Sequence, residues 1–395
     1  MHGTERTELL TPSYAVSLAS VLPSVAASLG VAVGAAGASG SGRRTGDRPG
    51  CAELIDLPPA RGAVVVLVDG LGAEQLQRRG GHAPFLRTLA SPAPGLTCGF
   101  PSTTATSMGS FGTGLPPGVH GMVGWQVLMP GRDRLLNQLS WHDGPDPLAW
   151  QPHGTVFEQI AAAGLPVTRV GPAHFGASGL TRAALRGGRF AVARRPAERV
   201  TAALAVLARD PRALVYLYWG EVDKTGHEHG PDSWQWGEQV EAVDAQLADL
   251  ARRLPAGTSL TVTADHGMVH TPEQDRHDLA YEDDLAHGIR HLGGEPRAPQ
   301  AYCEPGAAAD VLATWRAVLG EEGLVLSRQE AVAAGWFGPV REEVLPRIGD
   351  LVVAMRGRAT VLDSRALRPE VLRLRGHHGS LTLAEMAIPL LHLPA

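Results

Sequence analysis

Lysine is almost missing: Lys224 is the only one in 395 residues, so arginine carries nearly all the positive charge. The formal net charge is -5, and no basic field is left to hold a nucleic acid. Cysteine is scarce too. Cys51, Cys98 and Cys303 lie far apart, without the paired spacing of a zinc knuckle or redox motif, and read as small apolar residues in a reducing compartment. No uninterrupted apolar run reaches the roughly 18 residues of a membrane span. The apolar stretch from Tyr14 to Ala38 is no export signal either, because the segment before it mixes Glu5 and Glu8 with Arg6. These absences leave the cytoplasm as the expected location.

Apolar residues make up 44% of the chain and charged residues 19%, a globular balance with room for one large α/β domain carrying an insertion, or for two domains. Residues 14–30 repeat apolar side chains at helical spacing and predict an amphipathic helix packed on the domain, followed by a Gly/Ser/Arg-rich linker over 34–50. From Arg61 buried strands alternate with helices. Strands are expected at 63–68, 167–171, 213–219 and 259–264, and helices at 73–89, 156–163, 197–209 and 233–253. This alternation predicts βαβ units and a largely parallel central sheet covered by helices on both faces. Residues 271–297 read as a charged, His-rich surface loop, and the segment MAIPLLHL as an edge strand. The expected division is an N-terminal helix and linker over 1–50, a catalytic α/β domain over 51–297 and 361–395, and a small inserted α+β subdomain over 298–360.

Three acidic groups stand directly after apolar strands: Asp69, Asp223 and the pair Asp265-His266. In an open parallel sheet the crevice outside the strands' carboxyl ends binds ligands, so these residues should converge there. Carboxylate with imidazole favours zinc or a similar transition metal, and Asp223 with His227 can clasp one ion. Taken singly each group has a plainer reading, as a turn, a cap or a solvated pair, and only their conjunction points to a site. The hydroxyl-rich stretch from Leu96 to Gly121 places a Ser/Thr turn at a helix start, an N-cap in the plain reading and an anion site in the functional one. Gly70-Leu71-Gly72 lacks the third glycine of a dinucleotide fingerprint.

VLVDGLG, FPSTTATSMGSFGTGLPPGVHG, DKTGHEHGP, TADHG and GHHGS, in this order, resemble the alkaline phosphatase superfamily, most closely its nucleotide pyrophosphatase/phosphodiesterase branch. The resemblance implies an α/β core with two zinc ions. One would be held by Asp223, His227 and His378, the other by Asp69, Asp265, His266 and the nucleophile. It points to Thr104 as a threonine nucleophile that becomes transiently phosphorylated, with Thr103 as fallback and Ser102 behind it. The activity implied is hydrolysis of phosphoric diesters or nucleotide pyrophosphates. Alternatives are a phosphomonoesterase or phosphonoacetate-hydrolase-like enzyme and, in another class, an inactive metal-stabilised binding protein.

The chain departs from the branch where an asparagine usually contacts a phosphate oxygen: Trp125 stands there, with Asn137 in the following loop as a substitute and His229 as a further substrate contact. His120 reads as a residue that fixes its loop, and Lys224 as a solvated charge. No arginine or lysine lies between Arg87 and Arg132, which predicts a nucleophile region without a cationic side chain and hence a preference for monoanionic diesters.

Overall fold

The computed structural model describes residues 8–34 and 52–395, so the linker read over 34–50 and Cys51 fall almost wholly outside the described residues. The central strands are β1 (Gly62–Val68), β2 (Val167–Gly171), β3 (Arg189–Val192), β4 (Leu214–Trp219) and β5 (Thr258–Thr263). All seven residues of β1 are buried, as a β-branched run must be when helices cover both faces. In the middle of the sheet β1 pairs in parallel with β4 and β5, with Val66 opposite both Leu217 and Val262. β2 joins β4, and β3 joins β2, also in parallel. The second sheet consists of β6 (Ile289–Glu295), β7 (Ala298–Cys303), β8 (Gly323–Ser327) and β9 (Leu351–Met355), in the order β6-β7-β9-β8. The last strand, β10 (Leu390–Leu393), returns antiparallel to β5 and closes one edge of the central sheet.

The helices used below are α1 (Leu18–Ser28), α2 (Ala73–Arg78), α3 (Thr104–Thr113), α4 (Gly179–Ala184), α5 (Glu221–His229) and α6 (Trp234–Arg253). α3 is made of small residues because it is pressed between neighbours: a Cβ on Gly112 would stand 1.8 Å from the Ala184 carbonyl oxygen. It ends on Gly114 at φ 70°, a left-handed cap that glycine adopts freely.

Three expectations are corrected. α1 is buried on nearly every side, with Ala27 its one exposed residue, so it is a core helix and not an amphipathic one. The helix expected over 73–89 stops at Arg78 and gives way to two 3₁₀ turns, because Gly80-Gly81 and Pro84 interrupt it. Residues 271–297 are not a bare loop, since they supply β6, which pairs along its length with β7. Their short polar elements carry too little hydrophobic periodicity to be seen in the sequence. The second sheet therefore begins before residue 298.

A buried ion pair ties the β6-β7 turn of the second sheet to the segment that leads into β10 and so to the central sheet. Arg297 donates to Glu385 at 2.8 and 3.0 Å and to the carbonyls of Met355 and Ala359, while Glu385 accepts from the Ser380 amide and the Thr382 hydroxyl. Both side chains are 0% exposed. Arg297→Met should cost about 3–5 kcal/mol in denaturant titration, because Glu385 is left charged and uncompensated in the core. A cost below about 1 kcal/mol would mean that the pair is not holding the sheets.

Candidate active site

The carboxyl ends of β1, β4 and β5 deliver the strand-end residues to one place. Asp69 follows β1, Asp265 and His266 follow β5, and β4 runs through Gly220 into α5, which carries Asp223 and His227 one turn apart. The returning chain adds His378, whose ring stacks on His266 with centroids 3.6 Å apart. Two groups have ligand atoms close enough to share an ion: Asp223, His227 and His378, and Asp69, Asp223 and His266. Asp223 belongs to both. Asp265 lies against the second, with Oδ2 3.5 Å from His266 Nε2, and its Oδ1 accepts from the Gly70 and His266 amides.

The electrostatics ask for a cation. Asp69 Oδ1, Asp223 Oδ1 and Asp265 Oδ2 are buried without a hydrogen-bond partner. Burial, reinforced by mutual repulsion with Asp265 and Asp223, pushes the Asp69 carboxyl well above its usual range. Asp265 is raised as well, mainly by burial. Burial holds His378 well below its ordinary value and so keeps it neutral, the form that binds metal. Its Nδ1 faces the Ser102 carbonyl at 2.8 Å, and His227 Nδ1 faces the Gly376 carbonyl at 2.7 Å, which leaves each Nε2 for the centre. Unpaired carboxylate oxygens beside imidazole nitrogens fit divalent transition metal.

Thr104 opens α3, and its hydroxyl lies 3.2 Å from His266 Nε2. No side chain caps the first turn of α3, so its amides remain available to an anion. Ser102 is committed elsewhere, donating to the Ser380 carbonyl and accepting from the Gly379 amide. Thr103 is 2% exposed and turned towards Glu295.

Trp125 lines a small cavity together with Thr104, Asp223 and His378. Asn137 does not reach either cavity at Thr104: its side-chain oxygen accepts from the Leu139 and Ser140 amides and holds the turn after a short strand. His229 is exposed at the end of α5, because two residues along a helix rotate it about 200° from His227. Lys224 is exposed and lies 3.9 Å from Glu228. His120 fixes its loop, with Ser110 on Nε2 and the Met122 amide on Nδ1.

Two residues escaped sequence reasoning. Tyr218, next to last in β4, donates its hydroxyl to Asp69 Oδ2; as one aromatic within a buried strand it gave no signal. Glu295 ends β6 and lines the Trp125 cavity. Its Oε1 accepts from the Trp125 amide at 2.6 Å, and its Oε2 is buried without a partner. Burial outweighs the Thr103 and Trp125 bonds and pushes Glu295 from its ordinary 4.5 up to about 7. The folded protein then holds this proton more tightly than the unfolded chain, so stability falls as pH rises through that interval. The loss is ~3 kcal/mol by pH 8. Glu295→Gln should remove it, making the metal-free variant more stable than the parent at pH 8 but not at pH 4.5. Equal pH slopes in denaturant titration would refute this.

The expectation of no cationic side chain near Thr104 fails. Arg169, on β2, lines a second cavity that also contains Thr104 and Asp69. No local pattern reveals a residue that crosses from another strand.

The family model for type I phosphodiesterase/nucleotide pyrophosphatase matches residues 63–381. The chain belongs to that family. Membership rests on a match that takes in every strand-end residue named above. Among curated proteins, a phosphopentomutase of Anaeromyxobacter dehalogenans is 29% identical over 40% of this chain, and mouse ectonucleotide pyrophosphatase/phosphodiesterase family member 7 is 43% identical over 14%. The chain spans 39% of the length of the first and 14% of the second. Among solved structures, murine ectonucleotide pyrophosphatase/phosphodiesterase 5 superposes with a TM-score of 0.68 at 21% identity, covering 84% of this chain and 87% of its own. Phosphonoacetate hydrolase from Sinorhizobium meliloti gives 0.63 at 22% identity, covering 85% and 90%. These neighbours share the α/β architecture with its mostly parallel central sheet.

Proposed function

We propose that the protein is a zinc-dependent hydrolase of phosphoric diesters or nucleotide pyrophosphates that uses Thr104 as nucleophile. The observation that carries this reading is the placement of the Thr104 hydroxyl at the uncapped start of α3, 3.2 Å from His266, beside three buried carboxylates with unpaired oxygens. Asp223, His227 and His378 would hold one zinc, and Asp69, Asp265 and His266 the other, with Asp223 between them. Bound zinc supplies Lewis acidity that lowers the pKa of a nearby hydroxyl and offsets charge on phosphoryl oxygens.

The residues of this chain do the positioning. The α3 amides face the phosphoryl oxygens, and Tyr218 orients Asp69. Thr104 Oγ1 forms a bond to phosphorus as the bond to the leaving oxygen breaks, giving a covalent phosphoester on the threonine. Water then cleaves that ester, returning the hydroxyl and releasing a monoester. A nucleotide is in keeping with a structural neighbour whose inactive variant was solved with AMP, and here Trp125 offers an aromatic face beside Thr104.

The test compares bis(4-nitrophenyl) phosphate with 4-nitrophenyl phosphate on metal-analysed protein. The expected kcat/KM ratio favours the diester by at least about tenfold, or ~1.4 kcal/mol of transition-state discrimination. A preference for the monoester would make the protein a phosphomonoesterase. No turnover of either, with metal bound, would favour an inactive binding protein.

A further inference from the structure

A second cavity, of about 430 Å³, shares Thr104, Leu139 and Asp223 with the Trp125 cavity but not Trp125 itself. Its floor is a row across three parallel strands: Tyr216 on β4, Arg169 on β2 and Phe190 on β3 stand in register. Thr104 and Asp69 line it at the level where the strands end, while Met108 from α3 and Leu180 from α4 supply apolar walls. With a strand rise of about 3.3 Å per residue, the Arg169 level lies ~7 Å below the strand ends.

Arg169 is the arginine of a chamber whose aromatic and aliphatic walls are joined by Asp69 and Asp223 at the strand ends and by His174 and a few hydroxyls, and it is only 8% exposed. Its Nε donates to the Gly187 carbonyl at 2.9 Å, and its guanidinium carbon lies 5.7 Å from the Phe190 ring centroid. No carboxylate pairs with it among the described residues, and its terminal nitrogens have no hydrogen-bond partner there. The other deeply buried arginines are provided for: Arg297 faces Glu385, Arg199 faces Glu221 at 2.6 Å, and Arg347 donates to the Gly121 and Trp150 carbonyls. Holding a guanidinium out of bulk water without an anion is unfavourable, and a ligand anion arriving in the same chamber would offset that cost. Its fork of donors suits carboxylate or phosphate.

We propose that Arg169 determines substrate specificity by binding a second anionic group, a carboxylate or phosphate, carried on an aryl or aliphatic spacer whose phosphoryl end lies at Thr104. This rests on the hydrolase reading above. The spacer matches the depth of the cavity, about the length of one aromatic ring, and Tyr216 and Phe190 flank it.

The test uses three methyl phosphodiesters, of phenol, of 4-hydroxybenzoate and of 4-hydroxyphenyl phosphate. Turnover is measured on the metal-loaded wild type, Arg169→Leu and Arg169→Lys proteins, and calorimetric binding on the same proteins carrying Thr104→Ala. In the wild type one or both of the esters bearing a second anionic group should exceed the phenyl ester by at least about tenfold in kcat/KM and in affinity, and which of the two gains more tells carboxylate from phosphate. Arg169→Leu should collapse that ratio towards one, and Arg169→Lys should keep part of it. Comparing ratios between proteins cancels the different leaving-group acidities. Equal or undetectable binding of all three esters, or a preference that survives in Arg169→Leu, overturns the subsite. If all three are hydrolysed equally, the hydrolase reading stands and the subsite falls. If the anionic esters bind preferentially but none is hydrolysed, the subsite stands and the hydrolase reading falls.

Discussion

Thr104→Ala should lower kcat by at least about 10³-fold, equivalent to ~4 kcal/mol of transition-state stabilisation, while the fold and bound metal persist. The substitution removes one hydroxyl at the start of a helix whose backbone needs no side-chain cap there. The carboxylates and imidazoles around it hang from other elements: Asp69 from β1, Asp223 and His227 from α5, Asp265 and His266 from β5. Thr103→Ala should be far milder, because that side chain is 2% exposed and turned to Glu295. Steady-state kinetics with metal analysis of both variants decides between them, and the reverse ranking would move the nucleophile by one residue.

Removing metal should be as severe. A chelator is expected to abolish turnover, with activity restored by zinc, and elemental analysis should find close to two equivalents per chain. His378→Ala should lose about one equivalent. Asp223→Ala should lose more, because Asp223 Oδ1 stands 3.4 Å from His227 Nε2 and 4.0 Å from His378 Nε2 and also belongs to the group with Asp69 and His266. Full activity in chelator would sink the metal assignment. Stability should follow in the same experiment. In metal-free protein Asp69 and Asp265 hold protons more tightly than the unfolded chain does, so stability drops as pH rises from the ordinary carboxylate range up to their folded-state values. Added zinc should therefore raise the melting temperature more at pH 8 than at about pH 4.5, just above the ordinary carboxylate range. An equal rise at both values would show that these carboxylates are not the groups that the metal relieves.

By itself the sequence determined the parallel sheet and the chemistry at its carboxyl edge. A run such as residues 63–68 reports its own burial, and a ligand-type residue directly after it must emerge in the crevice, so Asp69, Asp265 and His266 were legible from strand ends, and Asp223 from the segment that follows β4. Thr104 and His378 needed the ordered motifs as well, since a hydroxyl-rich turn and a histidine pair are common surface features. What only the tertiary structure decided are the contacts between segments distant in the chain. It showed that Asp223 stands between two clusters, that Tyr218 orients Asp69 and that Glu295 reaches the Trp125 cavity from the second sheet. Only there do His229 and Asn137 turn away, one by helical rotation and the other because its oxygen is used by a turn. Arg169 lies on β2, far from residues 87–132 in the chain, and was hidden for the same reason. Strand periodicity says which face a side chain takes, but strand order, here β10-β5-β1-β4-β2-β3, says which side chains meet across that face, and order is set by the packing of the whole chain.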